Sequence, residues 1–212
     1  MWTHLINLYW RTLMDLTPIV NPITSGLFFL TFIEGNEPAF VKRAAFKVGL
    51  YMLISLIITF LVGVSILHFF GITLPYVRLA GGLLIFSMGW KMLNTDKSVA
   101  DKPQKKLSEL LFYPITMPFT VGGGTIATTI TLATYVDQNS FTLNIAEDIT
   151  VIIGILTVAI AVVFCCYFAP RIKAILREGG VTIFLFTFAL ILLPLGLNIG
   201  WGGLSVLIQQ LS

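Results

Sequence analysis

Apolar residues run along this chain in long blocks, and polar residues collect in the short gaps between them. A helix crosses the hydrocarbon core of a bilayer with about 20 apolar residues. Six blocks reach that length: about Leu5–Ile33, Ala44–Phe70, Leu74–Leu93, Leu110–Val136, Ile149–Pro170 and Val181–Leu211. The pattern predicts an all-α polytopic membrane protein, with residues 1–212 forming a single transmembrane domain. The last block is longer than one span requires, so it is expected to tilt, to kink at Pro194 or Gly196, or to end along the interface. The gaps are a polar loop over 94–109, a short polar stretch from Asp137 to Asp148, and a basic loop from Arg171 to Glu178.

Composition agrees with the pattern. Hydrophobic residues make up 57% of the chain and charged residues 11%, against about 25% charged in a typical soluble domain. A soluble fold could not cover its surface with so few charges. The first block lacks both a basic leader and a small-residue cleavage site, so it is expected to stay in the mature protein.

Placement of the charges gives the orientation. With six spans, Lys42, Arg43, Lys47, Lys91, Lys97, Lys102, Lys105, Lys106, Arg171, Lys173 and Arg177 all fall on one side. Only Arg11 and Arg78 fall on the other. Basic loops stay cytoplasmic, so both termini are expected outside, in a multi-pass protein of the cytoplasmic (inner) membrane.

Within the blocks one pattern occurs twice. Pro18-Ile19-Val20-Asn21-Pro22-Ile23-Thr24-Ser25-Gly26 and Pro114-Ile115-Thr116-Met117-Pro118-Phe119-Thr120-Val121-Gly122 both read Pro-Ile-x-x-Pro-x-Thr-x-Gly, 96 positions apart. Proline lacks an N–H, and its ring clashes with the carbonyl one turn back. Pro18, Pro22, Pro114 and Pro118 are therefore expected to break helices 1 and 4. Each half holds three spans: repeat 1 over 1–95 and repeat 2 over 110–212, joined by the cytoplasmic loop 94–109. An odd number of spans per half makes the repeat inverted, an arrangement common in secondary transporters.

A break at membrane depth is tolerated only where the backbone is buried in protein or lines a cavity. The half-helix beyond it offers free N–H groups to an anion. Thr24 and Ser25 suit the N-cap of the first half-helix and Thr120 that of the second. Gly122, Gly123 and Gly124 allow close approach of a ligand or a helix. Thr125, Thr128 and Thr129 share one helical face, either lining a polar path or packing and bonding their own backbone. Asn21 has no counterpart at Met117 and is read as a substrate ligand or as a tie for the freed carbonyls. The candidate substrate site is thus Asn21, Pro22, Thr24, Ser25, Thr120, Gly122, Gly123, Gly124 and Thr125. Asp15 is a candidate for proton or sodium coupling or an ion-pair partner of Arg11, and Asn198 lies in a second irregular patch. His4 and His68 stand apart, and Cys165 and Cys166 are adjacent packing residues. No metal, cofactor, nucleic acid or catalytic residue is expected.

The two motifs, with Tyr113 before the second and Gly123-Gly124-Thr125-Ile126 after it, resemble the MarC family of membrane proteins, also catalogued as small neutral amino acid transporters. The resemblance extends over the whole chain in length, span count and outside termini. One departure is Gly123, where the family commonly has proline. The resemblance implies an inverted three-helix-repeat transporter, not an enzyme, moving a small solute such as a neutral amino acid by alternating access. Transmembrane thiol chemistry would need a cysteine in each broken helix, and neither motif has one. The alternatives kept open are a channel-like pore and a non-transporting assembly or lipid-binding protein. Expected partners are the solute, a coupling proton or sodium ion, membrane lipid and, as one option, further copies of the chain.

Overall fold

A computed structural model of the protein describes residues 2–33, 36–94, 116, 120–136 and 141–210. The described residues form six helices and no strand. They are α1 (Trp2–Val20), α2 (Pro22–Ile33), α3 (Pro38–Phe69), α4 (Leu74–Asn94), α5 (Gly123–Ala133) and α6 (Phe141–Gln209). Pro114, Pro118 and nearly all of the 94–109 loop lie outside the described residues.

Four stretches are long and apolar enough to cross a bilayer: Trp2–Leu30, Pro38–Phe69, Ile145–Leu176 and Thr182–Gln209. Their outward faces carry large apolar side chains such as Ile54, Ile58, Leu61, Ile160, Phe164 and Ile183. Such a surface suits lipid rather than water. The protein is an all-helical, multi-pass membrane protein.

Local chemistry sets most helix ends. Pro38 sits at the first turn of α3, where its missing N–H and fixed φ cost nothing. Past the end of α3, Gly71 takes φ +66, and the N–H groups of Phe70, Gly71 and Ile72 close onto Ile66, His68 and Leu67. Glycine adopts this left-handed turn without a Cβ penalty.

The predicted loop from Arg171 to Glu178 is instead helical, part of the 69-residue α6. That helix contains Pro170 and Pro194 and cannot be straight. Gly154 meets Thr12, while Asn198 shares a cavity with Arg11. A straight helix from Gly154 to Asn198 would be roughly 65 Å long. The arms Ile145–Leu176 and Thr182–Gln209 therefore both reach α1, through Gly154 and Leu192, and the chain turns back between them.

Small residues bring these helices together. A Cβ on Gly26 in α2 would lie 2.7 Å from the Cys165 carbonyl oxygen and 3.2 Å from the Cys166 nitrogen. One on Gly82 in α4 would lie 2.3 Å from the Gly200 nitrogen and 2.5 Å from the Gly196 oxygen. These are backbone-to-backbone approaches, open only where no side chain intervenes. The core between them holds Leu16, Val20, Phe29, Met52, Leu56, Leu132, Ile155 and Val162.

Directions follow from the same contacts. His4, Thr12 and Gly26 meet Glu147, Gly154 and Cys165, so α1 and α2 run parallel to the first arm of α6. Gly89, Gly82 and Pro75 meet Ala189, Gly196 and Gly203, so α4 runs antiparallel to the second arm. α5 runs back along α1: Gly124 lies against Ile19, and Tyr135 lies under Arg11.

Candidate functional site

The first motif makes one break rather than two. Pro18 lies inside α1, and the interruption falls at Asn21, between Val20 and Pro22. A single missing N–H within an otherwise bonded helix is accommodated; Asn21 still donates its N–H to the Thr17 carbonyl at 2.9 Å. At Asn21 the backbone turns left-handed, φ 44, the only such non-glycine among the described residues. Asparagine tolerates that region better than most residues. Pro22 then occupies the first position of α2.

Asn21, not Thr24 or Ser25, caps α2. Its Oδ1 accepts from the Thr24 backbone N–H at 3.2 Å, and its Nδ2 donates to Thr24 Oγ1. Ser25 Oγ donates to the Val20 carbonyl at 2.8 Å, filling a bond the break would leave open. Asn21, Thr24 and Ser25 are all buried. The amide of Asn21 is thus engaged in tying the break.

In the second motif, Thr116 and Thr120 are described and buried. Val121 donates its N–H to the Thr116 carbonyl at 2.8 Å, a wide turn five residues back. The N-cap position of α5 belongs to Gly122, extended at φ −84 and ψ 175, with no side-chain cap; Thr120 does not cap it. The Thr120 carbonyl instead accepts from Thr125 Oγ1 at 3.3 Å. Gly123 faces Leu84, and Gly124 sits between Ile85 and Ile19. Ile19 stands two residues before the first break, so the break abuts the first turn of α5.

The threonine face divides in two. Thr125 and Thr129 bond carbonyls within their own segment, Thr129 to Thr125 at 2.8 Å. Thr128 is 8% exposed, has no hydrogen-bond partner among the described residues and lines a cavity.

That cavity, about 250 Å³, lies among α1, α4, α5 and the second arm of α6. Its wall carries Arg11, Asp15, Arg78, Thr128, Tyr135 and Asn198, with apolar contributions from Met14, Leu195 and Ile199. Arg11 Nε is 3.8 Å from Asp15 Oδ2, and its guanidinium carbon lies 3.7 Å from the centre of the Tyr135 ring. Arg11 is therefore engaged by both a carboxylate and a π face. Arg78 has no carboxylate within ion-pair distance among the described residues. Asn198 is exposed, and its side chain makes no hydrogen bond among the described residues.

The predicted motif residues and this cavity are neighbours rather than one site. Of the predicted positions, Asp15, Thr128 and Asn198 line the cavity; Asn21, Thr24, Ser25, Thr120 and Thr125 are buried and do not line it. Arg78 and Tyr135 were not predicted. A signal for Arg78 existed: an arginine inside an apolar block is costly and marks a cavity or a pathway. Away from the cavity, His4 has a partner the sequence did not suggest, with Nδ1 3.2 Å from Oε1 of the buried Glu147. No cluster able to hold a metal ion occurs among the described residues.

A family model described as MarC family integral membrane protein matches residues 6–208. The inner membrane protein MarC of Escherichia coli (strain K12) is 30% identical over 138 residues, which cover 60% of this chain and 62% of that protein. The inner membrane protein MarC of Shigella flexneri matches to the same extent. The match thus spans less than two thirds of the length of these relatives. No solved structure matches the chain. The chain belongs to the MarC family.

Proposed function

We propose that this MarC-family membrane protein is a secondary transporter of a small solute, with a small neutral amino acid as the substrate class. The observation that carries the reading is a partly polar cavity lined by α1 and α5, the helices that lead into and out of the two motifs, whose own polar groups Asn21, Thr24, Ser25 and Thr120 are buried. A volume of about 250 Å³ lies below the roughly 300–1,000 Å³ of pockets for drug-sized ligands. It suits a solute of a few heavy atoms.

The helix directions support an inverted repeat with both ends of the chain on one side; the charge bias of the loops is what argues for that side being outside. Helices α2 and α5 run oppositely, as do α3 and the first arm of α6, and α4 and the second arm. A two-fold axis in the membrane plane relates elements in that sense. In this reading the two halves rock about the breaks. The backbone from Gly122 to Thr125 and the cap at Asn21 then meet the solute as it passes inward, and a proton or sodium ion couples through Asp15.

The test is uptake of labelled glycine and alanine into liposomes holding the purified protein, under proton, sodium and voltage gradients. Saturable uptake, weakened by Thr120→Val, is expected. Its absence under every gradient refutes the reading, and flux that never saturates identifies a pore.

A further inference from the structure

We propose that the cavity among α1, α4, α5 and the second arm of α6 is a carboxylate-capture site anchored by Arg78. The proposal rests on the transporter reading for its role but not for its chemistry. The wall holds two guanidinium groups and one carboxylate. Asp15 is matched by Arg11, whose cation is also held over Tyr135. Among the described residues Arg78 has no carboxylate partner, so their charges leave the cavity wall with one excess positive charge. A cleft with one excess positive charge favours an anion.

The second observation is independent of charge. The side chain of Thr128 is buried, lines the same cavity and has no hydrogen-bond partner among the described residues. Buried polar groups without a partner are rare and point to something that binds them. Asn198 adds an unengaged amide at the cavity wall. A guanidinium fork, a hydroxyl and an amide together match a planar carboxylate with a short polar body. The volume limits that body to a few heavy atoms.

The backbone keeps Arg78 in place. A Cβ on Gly203 would lie 2.4 Å from the Pro75 carbonyl oxygen and 3.0 Å from the Arg78 Cβ, so α6 seats directly against the turn that carries Arg78. Gly202, by contrast, lines the cavity, and a Cβ there would meet no heavy atom within 4 Å. A larger side chain at 202 enters the cavity without disturbing the helix contacts.

The experiment is calorimetric titration of the full-length protein in detergent with four probes. L-Alanine carries carboxylate and ammonium, propionate only the carboxylate, alaninamide only the ammonium, and dioctanoylphosphatidylglycerol a lipid phosphate. Alanine and propionate are expected to bind and alaninamide not to bind. Arg78→Gln and Gly202→Leu should each weaken alanine at least tenfold, and Arg78→Lys should restore part of the loss. Gly202→Leu should melt at or above the wild-type temperature without ligand, which separates blocking from misfolding. The proposal is overturned if alaninamide binds as well as alanine, if Arg78→Gln leaves the affinity unchanged, or if no probe binds the wild type. It is also overturned if the phospholipid displaces propionate and binds tighter, which assigns the cavity to a lipid headgroup. Carboxylate binding without liposome uptake refutes the transporter reading alone. Saturable alanine uptake with an unchanged KM in Arg78→Gln refutes this inference alone.

Discussion

Replacing Asn21 with alanine removes three things at once, and the structure allows each to be sized. The cap from Asn21 Oδ1 to the Thr24 N–H disappears; losing an asparagine cap to alanine costs about 1 kcal/mol. The hydroxyl of buried Thr24 loses its Asn21 Nδ2 partner, roughly 1 kcal/mol more. A Cβ without a polar group must sit at φ 44, which adds about 1–2 kcal/mol. The sum is about 3–4 kcal/mol if the terms add. Asn21→Gly differs in the last term, because glycine adopts this φ freely. Its cap loss is also only a few tenths of a kcal/mol. The glycine variant should therefore lose about half as much as the alanine variant. The assay is thermal unfolding in detergent with a thiol-reactive dye, read from Cys166, which is buried behind Gly26. The expected order of melting temperatures is wild type, then Asn21→Gly, then Asn21→Ala. If glycine proves as damaging as alanine, the left-handed backbone is not what selects asparagine at this position.

Further outcomes follow from the packing. Gly82→Ala drives a Cβ into the Gly200 and Gly196 backbone and should destabilise by about 1–3 kcal/mol or more as an overpacked site, seen as a lower melting temperature. Gly202→Ala meets nothing and should stabilise by about 0.5–1 kcal/mol, since alanine favours a helix over glycine. Asp15→Asn breaks a partly exposed pair of 3.8 Å and should change stability by less than about 1 kcal/mol; if Asp15 couples an ion, liposome uptake in that variant loses its dependence on the driving gradient. Tyr135→Leu removes the ring beneath Arg11 and should cost about 0.5–2 kcal/mol of melting stability, whereas Tyr135→Phe should cost less.

The linear order of apolar and polar residues determined that the chain is helical and crosses a membrane. Long apolar blocks can satisfy their backbone in lipid only as helices. It also located the first break near Pro22, because a proline removes its own donor wherever it stands. Which proline interrupts the helix was beyond the sequence. Pro18 and Pro22 are chemically alike, and only the turn at Asn21, closed by Thr24 and Ser25, selects the second. The basic run from Arg171 reads as a loop by charge, yet the backbone carries a helix through it. Charge reports where a segment meets water, not whether its hydrogen bonds are helical.

The cavity belongs to the tertiary structure entirely. Arg11, Arg78, Thr128 and Asn198 come from four helical segments far apart in the chain, and nothing local links them. Close glycine contacts, of Gly81 with the Ala127 Cβ and of Gly82 and Gly203 with facing backbone, set how closely α4, α5 and α6 approach. That spacing decides which polar groups are packed away and which are left facing open space. The sequence determined that polar groups would be buried at the duplicated motif. The fold decided that those groups bond within their own segments, and that the charge and hydroxyl left without partners among the described residues meet in a separate cavity, at Arg78 and Thr128.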